Sequence, residues 1–226
     1  MSVYVFDLGG TLMEYIGMPE SWVEYYPKAF RHISEKICPN CSESDLQRSV
    51  DLLTTFNPRI SKREIEYTPE YIFSTCLSHW PSVISIPDAI HAFFEGIHLS
   101  PFIYPDTLPA LKHLKAQGHF IATLTDLPTA MPDSLFRRDI SELLPYFDLY
   151  MSSASCGFRK PNPAGLQQIA THFSIDVRSL IFVGDEDKDA QTAINAGCSF
   201  LRIDRKKVNS PALRTLIELA EKPLFK

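Results

Sequence analysis

The sequence predicts an α/β protein in which a parallel sheet carries helices on both faces, with a block of helices inserted after the first strand. Three observations carry this reading. The chain opens on an apolar run, Val3-Tyr4-Val5-Phe6, that ends in Asp7-Leu8-Gly9-Gly10-Thr11. From about Pro19 to His98, apolar residues recur at three- and four-residue steps and no strand signal competes. From Pro101 onward, short apolar runs alternate with amphipathic stretches, the pattern of parallel strands joined by crossover helices.

The opening run is rich in β-branched and aromatic residues and is closed by glycines, as a buried strand with a tight turn requires. A carboxylate at that edge is costly to bury, so Asp7 either serves the turn, as Asp before Gly often does, or serves chemistry. In the helical block the periodic stretches are Trp22 to Ile37, Leu46 to Phe56, Ile65 to Trp80 and Ala89 to Ile97, punctuated by Pro39, Pro58, Pro69, Pro81 and Pro87. These set an inserted helical domain over residues 16–98, leaving 1–15 and 99–226 for the sheet.

In the second part, Asp106 to Gln117 reads as a helix closed by Gly118, and His119 to Thr125 as a buried strand. A helix over Asp133 to Leu144 leads to a strand at Phe147 to Ser152, and a helix over Asn162 to Phe173 leads to the strand Leu180 to Val183. Asp187 to Ala196 is a helix ended by Gly197, followed by the strand Cys198 to Ile203 and a last helix over Pro211 to Ala220. Sheets of this kind bind ligands at the C-terminal ends of their strands.

The chain has 226 residues, 45% of them hydrophobic, enough for one good core and a smaller second unit. Its net charge of -5, with both signs spread along the chain, argues against nucleic acid or an anionic membrane as partner. No apolar stretch approaches the roughly 20 residues of a membrane span, so a soluble cytoplasmic protein, monomer or homodimer, is expected. The five cysteines form no even framework, and reduced thiols are the default. Cys38-Pro39-Asn40-Cys41 has the spacing of half a zinc site or a redox pair, but no second pair follows, and it reads as a turn between helices.

Three further strand ends share the rim with Asp7. Thr125-Asp126 ends one strand, Gly157-Phe158-Arg159-Lys160-Pro161-Asn162-Pro163 follows another, and Gly184-Asp185-Glu186-Asp187-Lys188-Asp189 ends a third. Pro161 keeps Lys160 extended, while Asn162 and Pro163 suit a helix start, so the lysine is held just ahead of a helix. Its ammonium suits a phosphate or carboxylate, although solvated lysines are commoner. Asp185 and Asp189 are four residues apart and can face one side of the helix that begins there. Clustered carboxylates repel unless a cation intervenes, which favours a hard ion such as Mg²⁺ over a merely acidic helix start, the reading that suits Glu186 and Asp187. The Thr125 hydroxyl can bond a phosphate oxygen or its own backbone.

Together these residues resemble the haloacid dehalogenase (HAD) superfamily, with its Asp-x-Asp-x-Thr turn, strand-end Ser/Thr, Lys before Pro, and Gly-Asp-x-x-x-Asp. The resemblance runs through Phe6 to Leu12, Ile121 to Asp126, Lys160-Pro161, and Phe182-Val183-Gly184-Asp185 to Ala196-Gly197. It implies a Rossmann-like core, and it makes the helical insertion similar to the substrate-selecting cap of subfamily I. It also implies that Asp7 is the nucleophile of an aspartyl-phosphate mechanism. Asp7, the Gly9 carbonyl and Asp185 would hold Mg²⁺, with Asp189 in support. Lys160, Thr125 and Asp126, with backbone N–H groups around Gly10 and Thr11, would bind a small phosphorylated substrate.

One position departs from the pattern. Gly9 stands where phosphatases of the superfamily carry a second Asp that protonates the leaving oxygen and activates water. Losing such a group costs about 10²- to 10⁴-fold unless something substitutes. The reading is therefore a Mg²⁺-dependent phosphatase whose acid catalysis is reduced, or is supplied by Glu14 or by the substrate. The alternatives are a dehalogenase-like hydrolase, a phosphonatase-like one for which Lys36, Lys62 or no lysine of the insertion serves, and a catalytically weak member that binds a phospho-ligand or partner. In the insertion, Trp22, Arg59, Lys62, Arg63, His79 and His91 are candidate substrate contacts, with ordinary surface or half-buried roles as the commoner explanation.

Overall fold

The first strand, β1 (Val3–Phe6), is buried along its whole length. A strand covered on both faces needs apolar residues at every position, which explains an unbroken run in place of alternation. The computed structural model describes residues 2–19, 21–81 and 83–205, so the helix expected over Pro211 to Ala220 lies outside the described residues. β1 pairs in parallel with β4 (Phe120–Thr123) on one side and β5 (Leu180–Gly184) on the other, and β6 (Ser199–Arg202) adds to β5, giving the order β4-β1-β5-β6. Phe6 stands opposite both Thr123 and Val183. That register brings Asp7, Thr125 and Asp185 to one edge.

Helices lie on both faces of this sheet, among them α5 (Thr107–Ala116), α8 (Ala164–His172) and α9 (Asp187–Ala196). Val5, Leu124, Leu166, Ile169 and Phe182 are buried together in the core. Gly165 in α8 is needed for this contact, because a Cβ there would come within 2.4 Å of the Leu124 side chain.

The chain divides into two compact units. One comprises the stretch up to Glu14, Pro101–Asp126 and the described residues from Arg137 onward. The other comprises Tyr15–Ser100 and Leu127–Phe136. The stretch 127–136, expected with the sheet, thus belongs to the helical unit, where Tyr15 packs edge-on to Phe136 and its hydroxyl approaches Met131 Sδ at 3.9 Å.

Within the helical unit are α1 (Tyr26–Ile37), α2 (Glu43–Phe56), α3 (Pro69–Cys76) and α4 (Ile86–Ile97). Their core includes an aromatic cluster in which Phe93 meets Phe30 at 5.3 Å and Phe73 at 5.2 Å between ring centroids. Ser42 and Asp45 form a capping box at the start of α2. Between α1 and α2, Cys38 to Cys41 is a turn closed by the Cys41 N–H on the Cys38 carbonyl, and both thiols are free.

Several expected elements are shorter. The helix over Ile65 to Trp80 begins only at Pro69, because Thr68 caps it by accepting the Tyr71 N–H at 3.2 Å. Residues 22–25 form a 3₁₀ turn ahead of α1. The helix over Asp133 to Leu144 stops at Asp139 in α6 (Asp133–Asp139), and the chain continues in turns to a 3₁₀ segment over Leu144–Tyr146. The strand expected at Phe147 to Ser152 runs beside β4 but pairs only through the bridges Ala122–Leu149 and Thr125–Ser152. Between them the Thr123 hydroxyl accepts the Met151 N–H at 2.8 Å and donates to the Met151 carbonyl at 3.0 Å, displacing the ladder locally. Two strands of three residues each, β2 (Met13–Tyr15) and β3 (Pro101–Ile103), form a small second sheet that the sequence did not suggest.

Candidate active site

The turn after β1 is wound tightly around Leu8. Its carbonyl accepts the N–H groups of Thr11, Leu12 and Met13, and the Gly10 N–H donates to the Met13 carbonyl at 2.8 Å. The Gly10 and Thr11 N–H groups, expected to bind phosphate, are therefore already engaged inside the turn. The Thr11 side chain instead donates to Asp185 Oδ1 at 3.1 Å. Gly10 has φ +77°, and a Cβ on it would lie 2.3 Å from Asp185 Oδ2. Gly9 is exposed, and a Cβ there would meet nothing within 4 Å.

At the end of β5, Asp189 folds back under the strand. Its Oδ2 accepts the N–H groups of Asp185 at 3.1 Å and Glu186 at 2.9 Å, as the N3 residue of a capping box for α9. Gly184 allows this approach, since a Cβ would come within 2.4 Å of Asp189 Oδ2. The sequence expectation of Asp189 as a support for the site coincides here with a structural job.

Lys160 precedes a cis peptide bond to Pro161, and the Asn162 side chain accepts the Ala164 N–H at 2.9 Å at the entry to α8. Its ammonium lies between two carboxylates, 2.8 Å from Asp7 Oδ1 and 2.6 Å from Asp189 Oδ1, with the side chain 1% exposed. Thr125 is buried at the end of β4, its carbonyl accepting the Ser153 N–H. Next to it, Asp126 accepts the Lys160 backbone N–H at 3.1 Å and lies 3.3 Å from Lys188 Nζ and 3.9 Å from Arg159 Nη2. The Asp126 carboxylate thus faces cations of its own chain at the rim where the sequence expects a substrate-binding group.

Burial pushes the Asp7 carboxyl up to about 7; Lys160 opposes the rise, and Asp189 adds to it. Burial also raises Asp185, with Asp189 and Glu186 contributing. Asp126 is held below the usual carboxylate range: burial works against the charge, but Lys188, Lys160 and Arg159 outweigh it. For Lys160, burial likewise opposes the ammonium, and Asp189, Asp7 and Asp126 overcome it, so the group stays protonated.

This region is short of positive charge. Among the described residues the carboxylates of Asp7, Asp126, Asp185, Glu186 and Asp189 gather with Arg159, Lys160 and Lys188 as cations paired to them, so acidic groups outnumber those cations. Asp7, Asp185 and Asp189 each offer a carboxylate oxygen, all within 4.8 Å of one another. Oxygen donors of this kind suit Mg²⁺.

A model of the family described as haloacid dehalogenase-like hydrolase matches residues 1–197. The chain belongs to the haloacid dehalogenase-like hydrolases. A curated relative, the phosphoglycolate phosphatase of Nitrosospira multiformis, is 36% identical over 106 residues, 47% of this chain and 46% of the relative. The chain thus spans about half the length of the curated relatives it matches. Among solved HAD structures, a phosphatase from Thermococcus onnurineus superposes with a TM-score of 0.59 at 17% identity, covering 92% of this chain and 88% of that one. An enzyme from Bacteroides thetaiotaomicron in complex with magnesium and inorganic phosphate gives 0.58 at 16% identity, covering 93% and 98%. At these identities the structures establish the shared fold.

Three residues of this HAD site escaped the sequence reading. Arg159 and Lys188 sit inside the quoted motifs but carried no distinguishing signal there. Arg205 lies beyond them: its guanidinium donates to both Asp106 oxygens at 2.9 and 2.8 Å and to the Thr11 carbonyl, and stacks 4.1 Å from the Tyr104 ring centroid. Glu14, the suggested substitute acid, is exposed and accepts the Tyr104 hydroxyl at 2.9 Å. In the helical unit, Lys36 pairs with Glu95, Arg63 with Glu66, and His79 with the Asp45 carbonyl, while Trp22 packs on Tyr15. Among the described residues no helix is long and apolar enough to cross a membrane.

Proposed function

We propose that the chain is a Mg²⁺-dependent phosphatase of small phosphorylated metabolites in which Asp7 attacks phosphorus to form an aspartyl-phosphate. The observation that carries this reading is the placement of Lys160 between Asp7 and Asp189, with Asp185 beside them, at one edge of the parallel sheet. Asp7, Asp185 and the Gly9 carbonyl would hold the ion, with Asp189 in support. Bound there, Mg²⁺ supplies charge that offsets the repulsion between an anionic nucleophile and an anionic ester.

The chain's own residues do the rest. Lys160 keeps Asp7 beside a cation, which favours the ionised nucleophile over the protonated one that burial prefers. Thr125 presents a hydroxyl at the same strand edge to a phosphoryl oxygen. Thr11 and Gly10 contribute by shaping the turn and fixing Asp185. No side chain at position 9 is present to protonate the leaving oxygen, so the reading includes a preference for esters whose leaving group departs without help.

A panel of phosphate esters assayed with and without Mg²⁺ tests the proposal, with Asp7→Asn as control. Turnover that requires both Mg²⁺ and Asp7 is expected. Turnover that survives Asp7→Asn removes the nucleophile assignment, and binding of phosphate without turnover of any ester favours the weakly catalytic, ligand-binding alternative.

A further inference from the structure

Lys160 has little positive charge to offer an incoming ligand. Two carboxylates already contact its ammonium, and the side chain is 1% exposed. A phosphate monoester approaching this edge as an anion would therefore gain from a side-chain cation in addition to the bound metal. Lys188 differs from Lys160 and Arg159 in access: its side chain is 33% exposed, against 5% for Arg159.

Lys188 Nζ lies 2.9 Å from Glu186 Oε2 and 3.3 Å from Asp126 Oδ2. Asp126 is shared with Arg159 and with the Lys160 backbone, so it neutralises Lys188 only in part. An ammonium carries three donors, of which these carboxylates take two. Lys188 is also near enough for its charge to act on the Asp7 carboxylate. Glu186 and Asp126 thus hold an accessible cation at the edge where the nucleophile stands.

We propose that Lys188 contacts the phosphoryl group of the substrate as a second cation beside Lys160, with Asp126 and Glu186 positioning its ammonium. The inference rests on the phosphatase reading above and assigns the phosphoryl-binding charge to a residue outside the motif positions that define the site.

Calorimetric titration of the Mg²⁺-loaded protein with inorganic phosphate, together with kinetics on an aryl phosphate, tests it. Lys188→Gln is expected to weaken phosphate binding and raise KM by about 10- to 100-fold, the loss of one charge-assisted hydrogen bond. Lys188→Arg, which keeps the charge, is expected to restore most of both. In the wild type, saturating phosphate is expected to protect Lys188 from acylation by acetic anhydride, read by peptide mass, a measurement that needs no variant to fold. Unchanged phosphate affinity in Lys188→Gln, or unchanged acylation of Lys188 with phosphate bound, overturns the assignment and leaves the phosphatase reading standing. A wild type that neither binds phosphate nor hydrolyses any ester overturns both.

Discussion

Lys160 Nζ lies 2.8 Å from Asp7 Oδ1, and both side chains are shut away from solvent. On the proposed reading the pair has two jobs: it keeps the buried Asp7 carboxylate ionised for attack, and it offsets negative charge at the sheet edge. Breaking a buried ion pair by removing one partner costs about 3–5 kcal/mol, because the other charge is left uncompensated. Lys160→Met is expected to lower stability on that scale and to abolish turnover. Asp7→Asn is expected to abolish turnover with a smaller loss, since Lys160 keeps Asp189. Urea denaturation of both variants checks the contrast; equal stabilities would contradict it.

Gly9 can accept a side chain. A Cβ there meets nothing within 4 Å, and its backbone is not among the left-handed glycines. Gly9→Asp is therefore expected to fold with stability within roughly 0.5 kcal/mol of the wild type, as surface substitutions do. It should also raise the rate on alkyl phosphates by about tenfold or more, part of the 10²- to 10⁴-fold that a placed acid contributes. Steady-state rates on one alkyl ester, before and after the change, decide it.

The same missing acid predicts leaving-group selectivity in the wild type. Aryl, acyl or anomeric phosphates should turn over faster than simple alkyl monoesters, and that ratio should shrink in Gly9→Asp. A wild type with equal rates on both classes would show that another group supplies the proton. A related expectation is slow hydrolysis of the aspartyl-phosphate, visible as a product burst in single-turnover kinetics.

Gly10 behaves oppositely to its neighbour. Its φ of +77° and the Asp185 carboxylate 2.3 Å from an added Cβ exclude any side chain. Gly10→Ala is expected to cost more than about 1 kcal/mol through strain alone and to push Asp185 off the Thr11 hydroxyl. Its effect on activity should exceed that of Thr11→Val, which removes only that hydrogen bond. Measuring both variants side by side separates backbone strain from the lost contact.

His119 gives a pH dependence away from the site. Its Nδ1 accepts the Ser2 N–H at 3.1 Å and its ring packs edge-on to Tyr4. Burial, with His113 contributing, lowers its pKa below the unfolded value of about 6.5. The fold thus favours neutral His119: this contribution is complete above the unfolded pKa and is lost as pH falls through it. His119→Gln is expected to flatten the fall in melting temperature between about pH 7 and pH 5 relative to the wild type. Parallel slopes for the two proteins would exclude the histidine.

The strands that bear the site were legible because they are buried on both faces, so β1 and β5 appear as unbroken apolar runs. Asp7, Lys160, Asp185 and Asp189 were legible from motif order, and the register of β1 against β5 brings Asp7 and Asp185 to one edge. The ladder break at Met151 was not, because it depends on which way one threonine hydroxyl turns. β2 and β3 are too short to show a period. The engagement of the Gly10 and Thr11 N–H groups follows from a turn closed on Leu8, which composition does not encode. Arg205 was invisible for a different reason: it joins Thr11 and Asp106 across 194 and 99 residues of chain.

The open space around Gly9 also bears on how such a site changes over generations. Every glycine codon lies a single base change from aspartate or glutamate, and here that change meets no steric barrier. A lineage carrying this turn can gain or lose the acid in one mutational step without passing through a misfolded ancestor, while Asp7, Lys160 and Asp185 stay in place. Selection on leaving-group chemistry can then act on one residue, with the rest of the machinery held constant.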